Sequence, residues 1–319
     1  MSNTANPAVS VVPAAGASSA RLKNFPIAWF ALIMGLSGLT IAWSRAEQIF
    51  GLGFALSPIL LALTAALFVL LSATYAAKAI RYPQEVLAEF KHPVKLAFVP
   101  SFSISLLLLS IAFLHTLPGL SFWLWVIGSL LHLGITLYVL SSWIHHTKYE
   151  IAHLNPAWFI PVVGNILVPL AGVHHASAEI SWFFFSLGLF FWPILTAIIF
   201  YRLIFHASLP ERFMPTLFIF IAPPAVGFIA WYNLIGDLDA FGRVLYFIAL
   251  AFTLLLISQA TYFARLKFFL SWWAYSFPIA AITIATLLMA KATGLVFYAW
   301  LAAGLLVLLN LVIAVLLAR

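Results

Sequence analysis

Residues 271–317 read SWWAYSFPIAAITIATLLMA, then KATG, then LVFYAWLAAGLLVLLNLVIAVLL. Each apolar run reaches or exceeds the roughly 20 residues needed to cross the hydrocarbon core of a bilayer. Only Lys291 to Gly294 separates them, too short a break for anything but a tight turn. Two antiparallel helices joined this way form a hairpin. The rest of the chain repeats the pattern. Of its 319 residues, 65% are hydrophobic and 7% charged, whereas a soluble domain carries about a quarter charged residues. So few charges cannot cover a water-facing surface.

Outward from that hairpin, apolar runs between polar breaks give ten spans. They cover 26–44, 55–78, 97–115, 120–143, 157–173, 180–204, 213–232, 242–264, 271–290 and 294–317. The expected fold class is an all-α integral membrane protein: five helical hairpins, odd helices as an inner pore ring, even helices outside. Residues 25–319 form this transmembrane channel or transporter domain. Residues 1–24 precede it as a disordered cytoplasmic tail of Ala, Ser, Pro and Asn, with no charged region ahead of an apolar core. The link between the second and third spans contains Pro83-Gln-Glu-Val-Leu-Ala-Glu-Phe90, a short surface helix begun at its proline.

The basic residues orient the spans. With ten spans, one side collects Arg21, Lys23, Lys78, Arg81, Lys91, Lys95, Lys148, Arg202, Arg212, Arg265, Lys267 and Arg319. The other holds only Arg45, Arg243 and Lys291 of the 15 Lys and Arg. Cytoplasmic loops concentrate Lys and Arg, so both termini are expected in the cytoplasm. A missed span would scramble the split downstream of it.

Prolines divide the spans into two kinds. Odd spans carry Pro100, Pro161, Pro169, Pro215, Pro223, Pro224 and Pro278 in or near their first turns. Even spans carry Pro58 and Pro193. Proline removes a backbone donor and bends a helix, and in lipid the freed carbonyl must face protein or a water-filled cavity. Odd spans also hold small or polar residues: Gly35 and Gly38, Ser101 and Ser105, Gly164 and Asn165, Thr216, and Ser276. Their centres lie roughly 60 residues apart, a weak repeat of a helical pair. Five inner helices would enclose a central path. Tight helix packing would also place small residues there.

No Asp, Glu, Lys or Arg falls near the middle of any span. Ion-coupled pumps usually carry intramembrane carboxylates, and cation channels commonly use acidic rings. Passive, permissive conduction of anions fits what is left. His145, His146, His153, His174 and His175 lack a matching ligand pair, so no metal is expected. His132, inside the fourth span, reads as a packed, hydrogen-bonded residue. With no cysteine, disulfides and thiolate chemistry are excluded. No Ser/His/Asp order, HExxH or phosphate loop appears, so neither an enzyme nor a cofactor is expected, and nucleic acid is not an expected partner.

Five stretches resemble the tellurite-resistance TehA and slow-type anion channel family, also called the tellurite-resistance/dicarboxylate transporter family. They are Phe30-Ala-Leu-Ile-Met-Gly35, His92-Pro-Val-Lys95, Asn155-Pro-Ala-Trp-Phe-Ile-Pro-Val-Val-Gly164, Ala222-Pro-Pro224 and Trp272-Trp-Ala-Tyr-Ser-Phe-Pro278. They fall in order along the whole chain after the tail. The resemblance implies a homotrimer of the bacterial inner membrane, a pore through each subunit, and passage of small inorganic or organic anions. It also implies that Phe277 plugs the pore. The family often has glycine after the first-span aromatic, where this chain has Ala31, which bears on the local pore width. The alternative reading is a proton-coupled carrier for C4-dicarboxylates, sulfite or tellurite.

Overall fold

The computed structural model describes residues 21–145 and 147–319. Residues 1–20 of the expected tail, and His146, lie outside them. Every regular element among the described residues is helical, and ten helices are long and apolar enough to cross a membrane. They are α1 (Ile27–Phe50), α2 (Ser57–Arg81), α3 (Lys95–Phe113), α4 (Pro118–His145), α5 (Pro156–His175), α6 (Ala178–Phe205), α7 (Glu211–Ile235), α8 (Ala240–Ile257), α9 (Leu270–Thr293) and α10 (Val296–Ala318). The chain is a multi-pass membrane protein. Most boundaries lie within a few residues of the sequence reading. Two differ more: α1 runs six residues past 44, through Arg45 to Phe50, and α8 stops at Ile257, before a separate turn Ala260–Phe263.

The odd helices are buried and the even ones are not. Across the most apolar window of each, burial is 67% to 78% for α1, α3, α5, α7 and α9, but 11% to 33% for the even set. Each odd helix packs against the even helix that follows it. The odd helices also touch one another in a closed circuit: α1 on α3, α3 on α5, α5 on α7, α7 on α9, and α9 on α1. The even helices turn large apolar side chains outward, among them Leu70, Trp123, Phe190, Leu254 and Trp300. Lipid tails, being as apolar as leucine, accept such a surface at no cost.

Turns and clamps hold the arrangement. Helices α1, α7 and α9 each end on a glycine in the left-handed region, Gly51, Gly236 and Gly294, the usual way a helix stops without a Cβ penalty. The connecting helix Pro83–Lys91 begins at its proline, as read from the sequence. It is pinned by the buried ion pair of Lys78 with Glu89, 2.6 Å. Lys78 also donates to the carbonyl of Phe25, 2.9 Å, so the end of α2, the connecting helix and the entry to α1 form one clamp. Ser101 and Ser105 donate mainly to their own helix, to the carbonyls of Phe98 and Ser101 at 2.6 and 2.7 Å, while their hydroxyls also sit 3.3 Å from the α1 carbonyls of Ile27 and Phe30.

Candidate functional site

Most prolines of the inner helices sit at or beside changes of helix type; Pro215 instead lies within a 3-10 stretch. Helix α3 opens as a 3-10 turn, Lys95–Phe98, and becomes α-helical at Ser101 just after Pro100. In α5, Phe159–Val163 gives way to a 3-10 turn, Gly164–Leu167, and a new α segment starts at Val168 with Pro169 in its first turn. In α7 a long 3-10 stretch, Glu211–Ile221, ends where Ala222, Pro223 and Pro224 open the α segment. In α9 the switch falls between Tyr275 and Ser276, next to Phe277 and Pro278. Proline lacks the donor that an α-helical first turn would leave unused, so it suits the start of the new segment. The sequence led to an expectation of bends within continuous helices. The structure instead has helix starts set partway along the inner helices.

These junctions lie beside two partly open cavities. An upper cavity of about 310 Å³ lies at the end where the inner helices begin. A lower one of about 470 Å³ lies toward their C-terminal ends. All five odd helices contribute to both walls, and no even helix contributes to either. Phe277, Leu167 and Val226 line both cavities. These three side chains, from α9, α5 and α7, are common to the two walls. Neither wall contains a carboxylate or a histidine.

The turn of α9 that carries Phe277 packs closely on α1. A Cβ placed on Gly38 would lie 2.7 Å from the Cβ of Ala280 and 3.5 Å from Cδ2 of Phe277. One placed on Gly35 would fall 2.1 Å from Oγ of Ser276, a collision. Both glycines thus let α1 close onto the turn of α9 that carries the ring. Ser276 does not face the cavities. Its hydroxyl donates to the carbonyl of Trp273, 2.7 Å, and packs against α1.

The residues read from the sequence separate into two groups. Ser101, Gly164, Pro223, Phe277 and Pro278 line the upper cavity, as does Ala31. Phe30, Gly35, Gly38, Pro100, Ser105, Pro161, Asn165, Pro169, Thr216, Pro224 and Ser276 are buried between helices and line neither cavity. Phe30 packs edge-on to Phe102 with centroids 5.1 Å apart, facing α3. Asn165 turns toward α4, where its amide donates to Oγ1 of Thr136, 2.9 Å. His132 is fully buried beside Gly164, and its Nδ1 lies 2.9 Å from Oγ of Ser103. No cluster of three or more His, Cys, Asp or Glu able to hold a metal occurs among the described residues.

Sequence reasoning missed Leu167, Val226, Arg45 and Lys291 as cavity residues. The first two carry no signal in a chain this rich in Leu and Val. Arg45 was missed because the first span was ended at 44. Its presence among the three basic residues on the sparse side was the available clue.

Ten apolar helices, five of which line two cavities that share Phe277, Leu167 and Val226, define a multi-pass membrane protein. The comparisons with known proteins supply the family. A family model described as voltage-dependent anion channel matches residues 24–319, and the chain belongs to that family, which is one of channels rather than enzymes. The S-type anion channel SLAH2 of Arabidopsis thaliana is 30% identical over 276 residues, covering 83% of this chain and 53% of that protein. The uncharacterized transporter MJ0762 of Methanocaldococcus jannaschii is 28% identical over 301 residues, 86% of this chain and 87% of that one. A tellurite resistance protein TehA homolog of Haemophilus influenzae is 26% identical over 270 residues, 81% and 80% of the two chains. The chain thus spans about half the length of the plant channel.

Proposed function

We propose that this protein is a passive anion channel or exporter, that Phe277, Leu167 and Val226 form an apolar partition between its two cavities, and that anions pass when Phe277 swings out of it. The observation that carries this reading is that Phe277 lies on both cavity walls. Its ring, with Leu167 and Val226, makes an apolar constriction, and such constrictions close a path by excluding water. The ring of inner helices supplies the path and the outer helices face lipid. Carboxylate-free walls disfavour cations and leave no acidic proton carrier in either cavity. Anion preference then draws on Arg212 at the upper cavity and on Arg45 and Lys291 at the lower one, through the local field they raise.

The basic residues orient the path, with the upper cavity and both termini facing the cytoplasm of a bacterial cell and the protein in its inner (plasma) membrane. A homotrimer follows from the family resemblance, and it would cover part of the apolar outer face. Native mass spectrometry of detergent-purified protein reads that stoichiometry.

The deciding experiment is flux from proteoliposomes. Phe277→Ala should raise anion flux about tenfold or more, because an alanine cannot dewet the constriction as the ring does. Equal flux from equal amounts of reconstituted protein overturns the assignment. Flux that tracks an imposed pH gradient and saturates with substrate would instead mark a proton-coupled carrier.

A further inference from the structure

The two cavities differ in what their walls offer a charged solute. The upper wall has one cation, Arg212, whose guanidinium lies over the ring of Phe213 at 4.9 Å. The lower wall has two, Arg45 from α1 and Lys291 from α9, together with the polar groups of Gln48, Tyr232 and Asn233. Those donors come from three inner helices and converge on one space of about 470 Å³. Among the described residues, neither the Arg45 nor the Lys291 side chain makes a hydrogen bond or an ion pair: the ion pairs present are Lys23 with Glu85 and Lys78 with Glu89.

The nearest acid on α1 is already committed. Glu47 accepts from the backbone N–H groups of Leu56 and Ser57 at 2.6 and 2.8 Å, and from the Ser57 hydroxyl at 2.5 Å. It caps the start of α2, so its charge is drawn toward that helix end. Arg45 also reaches a neighbouring side pocket, shared with Glu47 and His115, without pairing there. The Arg45 guanidinium, half-buried at the cavity wall, keeps its donors available to a solute there.

The geometry points to an anion site in the lower cavity: Arg45 and Lys291 bind a small, doubly charged oxyanion of the sulfate type, away from the apolar partition. The guanidinium presents a planar fork of donors that matches two oxygens of one oxyanion. Lys291, exposed near the end of the adjoining helix α9, adds a compact second charge. Gln48, Tyr232 and Asn233 can donate to the remaining oxygens. A halide, with no separate oxygens, would gain from the charges but not from this directional set. The site rests on the proposed anion path, which it would load from the outer side. A blander role exists for Lys291, in the last turn of α9, where a cation offsets the helix dipole. That role affects stability and leaves anion affinity unchanged.

Radiolabelled sulfate binding to the purified full-length protein in detergent separates the two roles. Arg45→Gln and Lys291→Gln should each weaken sulfate affinity about tenfold, and the double variant should lose measurable binding. Arg45→Lys should fall between, keeping the charge but losing the fork. Arg243→Gln, an exposed cation on the same side that lines neither cavity, should bind as wild type does. Sulfate affinity unchanged in the double variant, or no sulfate binding by the wild type at millimolar concentration, overturns the site. The channel reading is judged separately. A Phe277→Ala protein that binds sulfate through Arg45 yet passes no anion keeps this site and sinks that reading. Conduction with sulfate binding indifferent to both substitutions does the reverse.

Discussion

Helices α9 and α10 are neighbours in sequence and in space, and almost every residue of each is apolar. They are buried in different ways. From Ser276 to Leu287, every residue of α9 is buried, all the way round the helix. In α10 the buried residues are Tyr298, Ala302, Leu305, Leu306, Leu309, Ile313 and Leu316, one stripe at three- and four-residue spacing. The remainder of α10 looks outward, with Val307 and Leu311 each 60% exposed. In water such a stripe would show in the sequence as a polar opposite face. In lipid both faces of α10 are apolar, and the stripe is silent. What marks α9 as interior is instead its small and hydroxyl residues and its proline-opened start.

The contrast can be tested by matched changes, taken from the largest expected effect down. Gly35→Ala puts a methyl group where Oγ of Ser276 already stands, 2.1 Å away. It should cost about 3 kcal/mol, the upper end of overpacking effects, read as a fall in thermal stability in detergent. Adding Ser276→Gly should restore most of it, and an unrescued double variant would place the fault elsewhere. Leu287→Ala, at a fully buried position of α9, should cost about 2 kcal/mol. That is the low end of core truncations, because lipid removes the water-transfer part and leaves only lost packing.

A smaller effect is expected at Gly38. Its added methyl would press on Ala280 at 2.7 Å and touch the ring of Phe277 at 3.5 Å. Gly38→Ala should cost about 1 kcal/mol by the same overpacking and should also alter basal anion flux, since the ring must shift with α9. Stability loss with unaltered flux would separate the α1–α9 contact from the partition. The smallest effect belongs to α10. Leu311→Ala removes the same atoms as Leu287→Ala, but from an exposed face, and should stay within about 0.5 kcal/mol. Equal losses at Leu287 and Leu311 would contradict the division into inner and outer helices, unless an oligomer contact covers Leu311.

Some of the site was legible before any coordinates. Proline spacing singled out the odd helices, and the stretch around Phe277 and Pro278 stood out by its resemblance to a known family. Four other candidates, Ser101, Gly164, Pro223 and Pro278, also reach the upper cavity. The remaining small and polar residues took the other role open to them, close packing between helices, because a hydroxyl in lipid can satisfy itself on its own backbone. Thr216 does this with the carbonyl of Phe213, 2.6 Å. Nothing in a one-dimensional pattern tells those two uses apart.

The number of spans and the asymmetry of basic residues followed from the sequence by itself, because solvation of long apolar runs and of charges is decided locally. Which helices sit inside was foreshadowed by proline, glycine and serine, for the backbone reasons those residues impose. Tertiary structure alone decided the rest. It placed Leu167 and Val226 beside Phe277, brought Arg45 of α1 and Lys291 of α9 to one cavity wall, and left both without a partner. Those relations join residues up to 246 positions apart in the chain. They depend on how five helices close into a circuit, and in a uniformly apolar solvent no local property of the sequence records it.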